Sequence, residues 1–135
     1  MNGYALIADA SPADVGVVTQ AFQNAGLSYF VVPDGTDAIA VLDERGAPRI
    51  LVTDIPLAGF DGIALIAHLR GLPGGKATPV LVLSADRAGR DRASELRTLL
   101  DLGAVLSKAA SADSIRRVLE RLLPEGKGAG DRGRG

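Results

Sequence analysis

Asp54 closes an apolar run, Ile50-Leu51-Val52-Thr53, and is followed at once by a turn-forming stretch, Ile55-Pro56-Leu57-Ala58-Gly59-Phe60-Asp61-Gly62. A carboxylate at the mouth of a buried strand is costly unless it has a partner or a task. Three other apolar runs also end in polar groups: Ala5-Leu6-Ile7-Ala8 in Asp9, Val80-Leu81-Val82-Leu83 in Ser84, and Ala104-Val105-Leu106-Ser107 in Lys108. Parallel strands would bring all four tips to one edge, setting two carboxylates, a hydroxyl and an amine side by side. The chain has no cysteine and one histidine, which excludes thiolate catalysis, disulfides and cysteine metal sites, and that histidine cannot build a zinc site alone. What chemistry remains belongs to carboxylates, hydroxyls and amines.

The segments between the tips have helical period. Ser11 is placed to N-cap a helix, with Pro12 at its first position and Asp14 near the exposed amides. Val15, Val18, Phe22 and Ala25 follow at spacings of three and four, and Gly26 supplies a stop. Tyr29-Phe30-Val31-Val32 is a second strand, residues 36–45 a short helix around Ile39 and Leu42, and Asp61 caps a helix carrying Ile63, Ile66 and Leu69. The glycines and proline of 71–77 predict a loop leading to the strand at Val80. A helix is predicted over 92–102 through Leu96, Leu99 and Leu100, ending at Gly103. Ser111 caps a last helix whose Ile115, Val118, Leu119 and Leu122 form an amphipathic stripe. Residues 1–123 then read as one domain, and the glycine-rich 124–135 as a flexible tail.

Five β/α repeats, with strands too apolar to face water on either side, predict an α/β fold with a doubly wound parallel sheet covered by helices on both faces. Ligands of such sheets sit beyond the carboxyl ends of the strands, where Asp9, Asp54, Ser84 and Lys108 fall. The 135 residues, 47% hydrophobic, suit a single domain with a real core. Fifteen Lys and Arg against sixteen Asp and Glu give no broad basic field, so nucleic acid is not the expected partner. No apolar stretch approaches the roughly 18 residues of a membrane span, and the start lacks the charge of a signal peptide, so a soluble, cytoplasmic protein is expected.

Four segments in this order resemble the receiver domain of two-component response regulators, the CheY-like family: Leu6-Ile7-Ala8-Asp9-Ala10-Ser11-Pro12, Val52 through Gly62, Thr78-Pro79-Val80-Leu81-Val82-Leu83-Ser84-Ala85, and Leu106-Ser107-Lys108. The resemblance spans residues 3–123 and implies a flavodoxin-like (βα)5 fold with a five-stranded parallel sheet. It implies that Asp54 is the phosphoacceptor, Ser84 the hydroxyl that hydrogen-bonds the phosphoryl group and Lys108 its counter-charge. Asp9, Asp54 and the Pro56 backbone carbonyl would hold Mg²⁺, and the phosphoryl donor would be a histidine kinase or a histidine phosphotransferase. Such a chain is a switch signalling through protein contact, not a turnover enzyme. The chemistry is coherent in its own right, because phosphoryl transfer to a carboxylate needs compensation of charge on the equatorial oxygens, which a metal and a lysine supply.

Two departures stand out. The family's acidic pair is here Asp9-Ala10, so one carboxylate is missing and a weakened affinity for Mg²⁺ is expected: Asp9, Asp54 and Lys108 sum to a formal charge of about −1, where a complete set would reach about −2. Ala109 stands where the family usually has proline, and no aromatic lies between Gly103 and Lys108, so the family's usual aromatic readout on the fifth strand is missing.

Each tip also has a plain structural alternative. Asp54 caps the following turn, Lys108 is an exposed strand-end lysine, Ser84 is a turn hydroxyl, and Asp9 enters the helix without a metal. His68 is expected to be a solvated surface side chain. Ser11 either caps its helix or orients a metal-bound water. Gly75-Lys76 is not a nucleotide loop, since Arg70 replaces the first glycine and Ala77 the hydroxyl. The glycines of 128–133 match a dinucleotide pattern by letters only, with no strand before them and no helix after. Two functions follow: a stand-alone receiver phosphorylated on Asp54, or a phosphorylation-independent module that docks a kinase or another regulator. A small flavodoxin-like or hydrolytic enzyme would need a phosphate-cradling loop, a nucleophile elbow or a general-base histidine in context.

Overall fold

The computed structural model describes residues 3–123; the expected flexible tail at 124–135 lies outside the described residues. The chain runs β1 (Tyr4–Ala8), a 3₁₀ turn (Pro12–Val15), α1 (Gly16–Asn24), β2 (Ser28–Val32), α2 (Gly35–Arg45), β3 (Ile50–Thr53) and α3 (Gly62–Arg70). A second 3₁₀ turn (Gly75–Ala77), β4 (Val80–Ser84), α4 (Arg87–Glu95), a single-turn α5 (Arg97–Leu100), β5 (Ala104–Ser107) and α6 (Ala112–Leu122) complete it. The five strands form one sheet in the order β2-β1-β3-β4-β5, with every pairing parallel. This is the flavodoxin-like (βα)5 fold, with its topological switch point between β1 and β3.

Alternation along the strands divides the core into two layers. Tyr4, Leu6, Ala8, Leu51, Val80 and Val82 pack with Ala38, Leu42, Ile66, Leu69 and Ala93, so α2, α3 and α4 cover one face. Ala5, Ile7, Val52, Leu81 and Leu83 pack with Val18, Phe22, Ile115 and Leu119, so α1 and α6 cover the other. Both faces of β1, β3 and β4 are therefore buried, which is why these strands are apolar throughout, except for Thr53 and Ser84 at their carboxyl ends, rather than at every second position. No helix among the described residues is long and apolar enough to cross a membrane.

The fourth helical region departs from expectation. The helix expected over 92–102 starts earlier, at Arg87, where the Asp86 carboxylate accepts the Gly89 amide at 2.7 Å, and it ends at Glu95. After Leu96 a separate turn, Arg97–Leu100, ends in a left-handed Asp101 (φ 55°), and Leu102 is buried beyond it. The leucine spacing drew attention to 92–102, while α4 itself buries only Gly89 and Ala93 and leaves no periodic signature. Gly89 matters because a Cβ there would stand 2.9 Å from Ile55 Cβ, so its absence lets α4 close onto the segment following β3. His68 lies partly exposed at the surface, and its Nε2 is 2.7 Å from Asp43 Oδ1, tying α3 to α2.

At the end of the sheet remote from the polar tips, Arg70 acts as a clamp. Its guanidinium donates to the backbone carbonyls of Leu100 (2.9 Å), Gly75 (2.6 Å), Thr78 (2.7 Å) and Asp101 (2.8 Å). Burial lowers its pKa, and the nearby Asp101 carboxylate acts in the opposite sense. Arg70→Ala strips four carbonyls of a donor and should cost about 2–4 kcal/mol in urea unfolding. Arg70→Lys should recover less than half, because an ammonium lacks the planar fork. A cost below about 0.5 kcal/mol for the alanine variant would contradict the clamp.

Candidate functional site

Strand register places the four polar residues. Ala8 pairs with Thr53, and the Asp54 amide donates to the Ala8 carbonyl at 2.9 Å, so Asp9 and Asp54 leave neighbouring strands at the switch point. Ser84 pairs with Ser107, and the Lys108 amide donates to the Ser84 carbonyl at 3.2 Å. Lys108 thus starts from the edge strand and must reach inward to meet the carboxylates. Gly62, the first residue of α3, permits the return of the chain here: a Cβ on it would lie 2.1 Å from the Asp54 carbonyl oxygen.

The side chains converge. Asp54 Oδ1 accepts from Ser84 Oγ at 2.5 Å and from the Ile55 amide at 2.7 Å, while Asp54 Oδ2 lies 3.1 Å from Lys108 Nζ. Lys108 Nζ also contacts both oxygens of Asp9, at 2.9 Å and 2.8 Å. Asp9 Oδ1 accepts the Ser11 amide at 2.8 Å. Exposure falls inward, from 14% for the Asp54 side chain to 11% for Lys108 and 3% for Asp9. Burial by itself lowers the Lys108 pKa and is the largest single influence. The hydrogen bonds and charges of Asp9 and Asp54 together outweigh it and leave the ammonium above the ordinary lysine value.

Asp9, Asp54, Ser84 and Lys108 therefore meet as a single constellation. Lys108 is not a solvated strand-end lysine and Ser84 is fully buried, its hydroxyl also accepting the Asp86 amide at 3.1 Å. Pro56 is exposed in the loop two residues past Asp54. Ser11 does not cap a helix with its side chain: the segment opens as a 3₁₀ turn, and what Ser11 supplies is its backbone amide, to Asp9. Sequence reasoning missed Arg90, whose Nη1 donates to the Ser84 carbonyl at 2.9 Å, and the contact of Asp14 with Lys108 at 3.7 Å. Pro12 in a tight turn after Asp9 was the available sign that Asp14 folds back over the strand tip. A groove of about 650 Å³ lined by Pro48, Thr78, Pro79 and Arg121 contains none of these residues, lying where the chain enters β3 and β4.

Asp9 and Asp54 aim oxygens at one point, held here by the ammonium of Lys108, and hard oxygen donors converging on a cation suit Mg²⁺. Among the described residues no three or more His, Asp or Glu side chains are grouped so as to hold a metal.

Replacing Lys108 with Met leaves the buried Asp9 and half-buried Asp54 carboxylates facing each other without their cation and should cost about 2–4 kcal/mol at neutral pH. A lysine whose folded pKa is raised contributes stability below its unfolded pKa and loses that contribution as pH climbs through the folded one. The difference between wild type and Lys108→Met, followed by denaturant unfolding, should stay constant from pH 7 to about pH 10 and shrink only above the ordinary value of 10.5. A difference that shrinks between pH 7 and about pH 9 would contradict this.

The response regulator receiver domain model matches residues 5–120. An uncharacterized 14.6 kDa protein of the sodA1 3′ region in Leptolyngbya boryana is 31% identical over 93 residues, covering 69% of this chain and 70% of the relative. Among solved structures, the receiver domain of the sensor histidine kinase PA1611 from Pseudomonas aeruginosa PAO1, with magnesium in its active-site cleft, superposes with a TM-score of 0.71. It is 22% identical, over 90% of this chain and 98% of that one. The phosphorylated cyanobacterial phytochrome response regulator RcpA gives a TM-score of 0.70 at 21% identity, over 90% of this chain and 91% of that one. With the family model spanning nearly the whole described chain, this protein belongs to the response regulator receiver domain family, whose CheY-like members are signalling modules that accept a phosphoryl group on an aspartate and act through protein contacts.

Proposed function

We propose that Asp54 accepts a phosphoryl group from the phosphohistidine of a cytoplasmic histidine kinase or histidine phosphotransferase. The carrying observation is that the Asp54 carboxylate, at the tip of β3, is gripped from one side by the Ser84 hydroxyl and from the other by the Lys108 ammonium. As the P–N bond to the donor imidazole breaks and a P–O bond forms on Asp54, Ser84 and Lys108 are in place to meet the negative charge of the phosphoryl oxygens. Asp9, Asp54 and the Pro56 carbonyl are the residues that would hold Mg²⁺, more weakly than with a second acid at position 10. Bound there, the ion would offset charge on the phosphoryl group. A related fold carries magnesium in its cleft and another has been captured phosphorylated, which supports this assignment.

A second function is favoured by one observation. The Asp9–Lys108–Asp54 bridge satisfies the pocket internally, and among the described residues no buried side-chain polar atom lacks a partner. A pocket content without metal or phosphoryl group would suit a docking module that signals by binding alone.

Incubation with phosphoramidate or acetyl phosphate and Mg²⁺, followed by intact-protein mass spectrometry, separates the two. The expected result is a phosphoryl mass increment that requires Mg²⁺ and is absent in Asp54→Ala. Ala10→Asp should raise both Mg²⁺ affinity and the extent of labelling, by roughly tenfold in affinity for one added carboxylate. If no label forms with small donors or with histidine kinases, while a conventional receiver reacts in parallel, the docking module is the better account.

A further inference from the structure

Ala10 is exposed and carries no charge, yet the pocket is not limited to two carboxylates. The 3₁₀ turn after β1, closed by the Asp14 amide donating to the Ser11 carbonyl at 2.9 Å, doubles the chain back within five residues of Asp9. It brings Asp14 Oδ2 to 3.7 Å from Lys108 Nζ, on the open side of the ammonium, where the Asp14 side chain is 54% exposed. Lys108 therefore faces three carboxylates: Asp9 and Asp54 in hydrogen-bonded contact, and Asp14 beyond hydrogen-bond length. The formal sum of the four groups is −2, the value that a complete acidic pair would give without Asp14.

We infer that Asp14 is a positioning residue of the phosphoryl pocket, supplying from the 3₁₀ turn the negative charge that Ala10 does not supply from the strand tip. This rests on the pocket's assignment as a phosphorylation site. Asp14 acts through Lys108: it draws the ammonium outward, against the inward pull of Asp9 and Asp54, and so lowers the cost of releasing those two carboxylates to an incoming cation. Its own charge adds to the field that attracts the cation. Both effects have the same sign. Removing Asp14 leaves Lys108 bound to the inner pair alone and makes the pocket less electronegative.

Titration of the protein with Mg²⁺, followed by the amide NMR shifts of Ile55 and Lys108, tests this directly. Asp14→Asn should weaken binding about three- to tenfold at low ionic strength. Asp14→Glu should stay within about twofold of wild type, and Ala10→Asp placed in the Asp14→Asn background should restore the lost affinity or more. Asp101→Asn, which removes the same charge where the chain enters β5, should change nothing. An unchanged titration for Asp14→Asn, or an equal loss for Asp14→Glu, would overturn the role of Asp14 while leaving Asp54 phosphorylation intact. A wild-type protein that shows neither Mg²⁺ shifts nor labelling of Asp54 would overturn the assignment of the pocket itself, and this inference with it.

Discussion

Two carboxylates leaving adjacent parallel strands at the same level repel each other unless a cation lies between them, and in this chain Lys108 is that cation. It comes from a residue 99 positions from Asp9, at the tip of the edge strand β5. The bridge therefore exists only when β1, β3, β4 and β5 have all assembled in register. Ion pairs this buried stabilise only when their remaining hydrogen-bonding capacity is met. Here the Ser11 and Ile55 amides and the Ser84 hydroxyl meet it. The sheet order, the glycine at position 62 and the tight turn after Asp9 all serve this one arrangement.

The same arrangement determines what can move. With no aromatic on β5, Val105 packs, half-buried, with Leu96 and Leu100 against the α2–α4 side of the core. Ser84 is better connected. Its hydroxyl touches both Asp54 and the Asp86 amide at the start of α4, and its carbonyl accepts from Arg90 one turn further on. The Ser84 hydroxyl thus joins the Asp54 carboxylate to the start of α4 through two hydrogen bonds, with no aromatic intermediary. α4 is also lightly anchored, with Gly89 and Ala93 as its buried residues, so a small displacement disturbs little packing.

β1, β3 and β4 are legible because burial on both faces writes itself as long apolar runs, and the ends of those runs, with the end of the shorter, half-buried β5, mark Asp9, Asp54, Ser84 and Lys108. Caps with local side-chain geometry were legible too: Asp61 accepts the Ala64 amide and Ser111 the Ser114 amide. What escaped was of two kinds. α4 has too few apolar residues for a periodic signal, so the leucines of the following turn drew the boundary to the wrong place. Contacts set by tertiary folding, such as His68 with Asp43, Arg70 with four carbonyls, and Asp14 with Lys108, join residues whose spacing carries no pattern. Ser11 misled for a related reason: its residue type suits a cap, but the demand of Asp9 for a donor fixed the turn instead.

The site is built on Lys108 being held between Asp9 and Asp54 in the resting protein. The chain has three lysines, Lys76, Lys108 and Lys127, so nitrogen-15 NMR of the side-chain ammonium groups can observe each one. A bridged, buried Lys108 ammonium should exchange its protons with water far more slowly than the exposed Lys76, and its signal should move on Asp9→Asn. A Lys108 signal that exchanges as fast as Lys76 and ignores the Asp9 substitution would contradict the bridge and the site built around it.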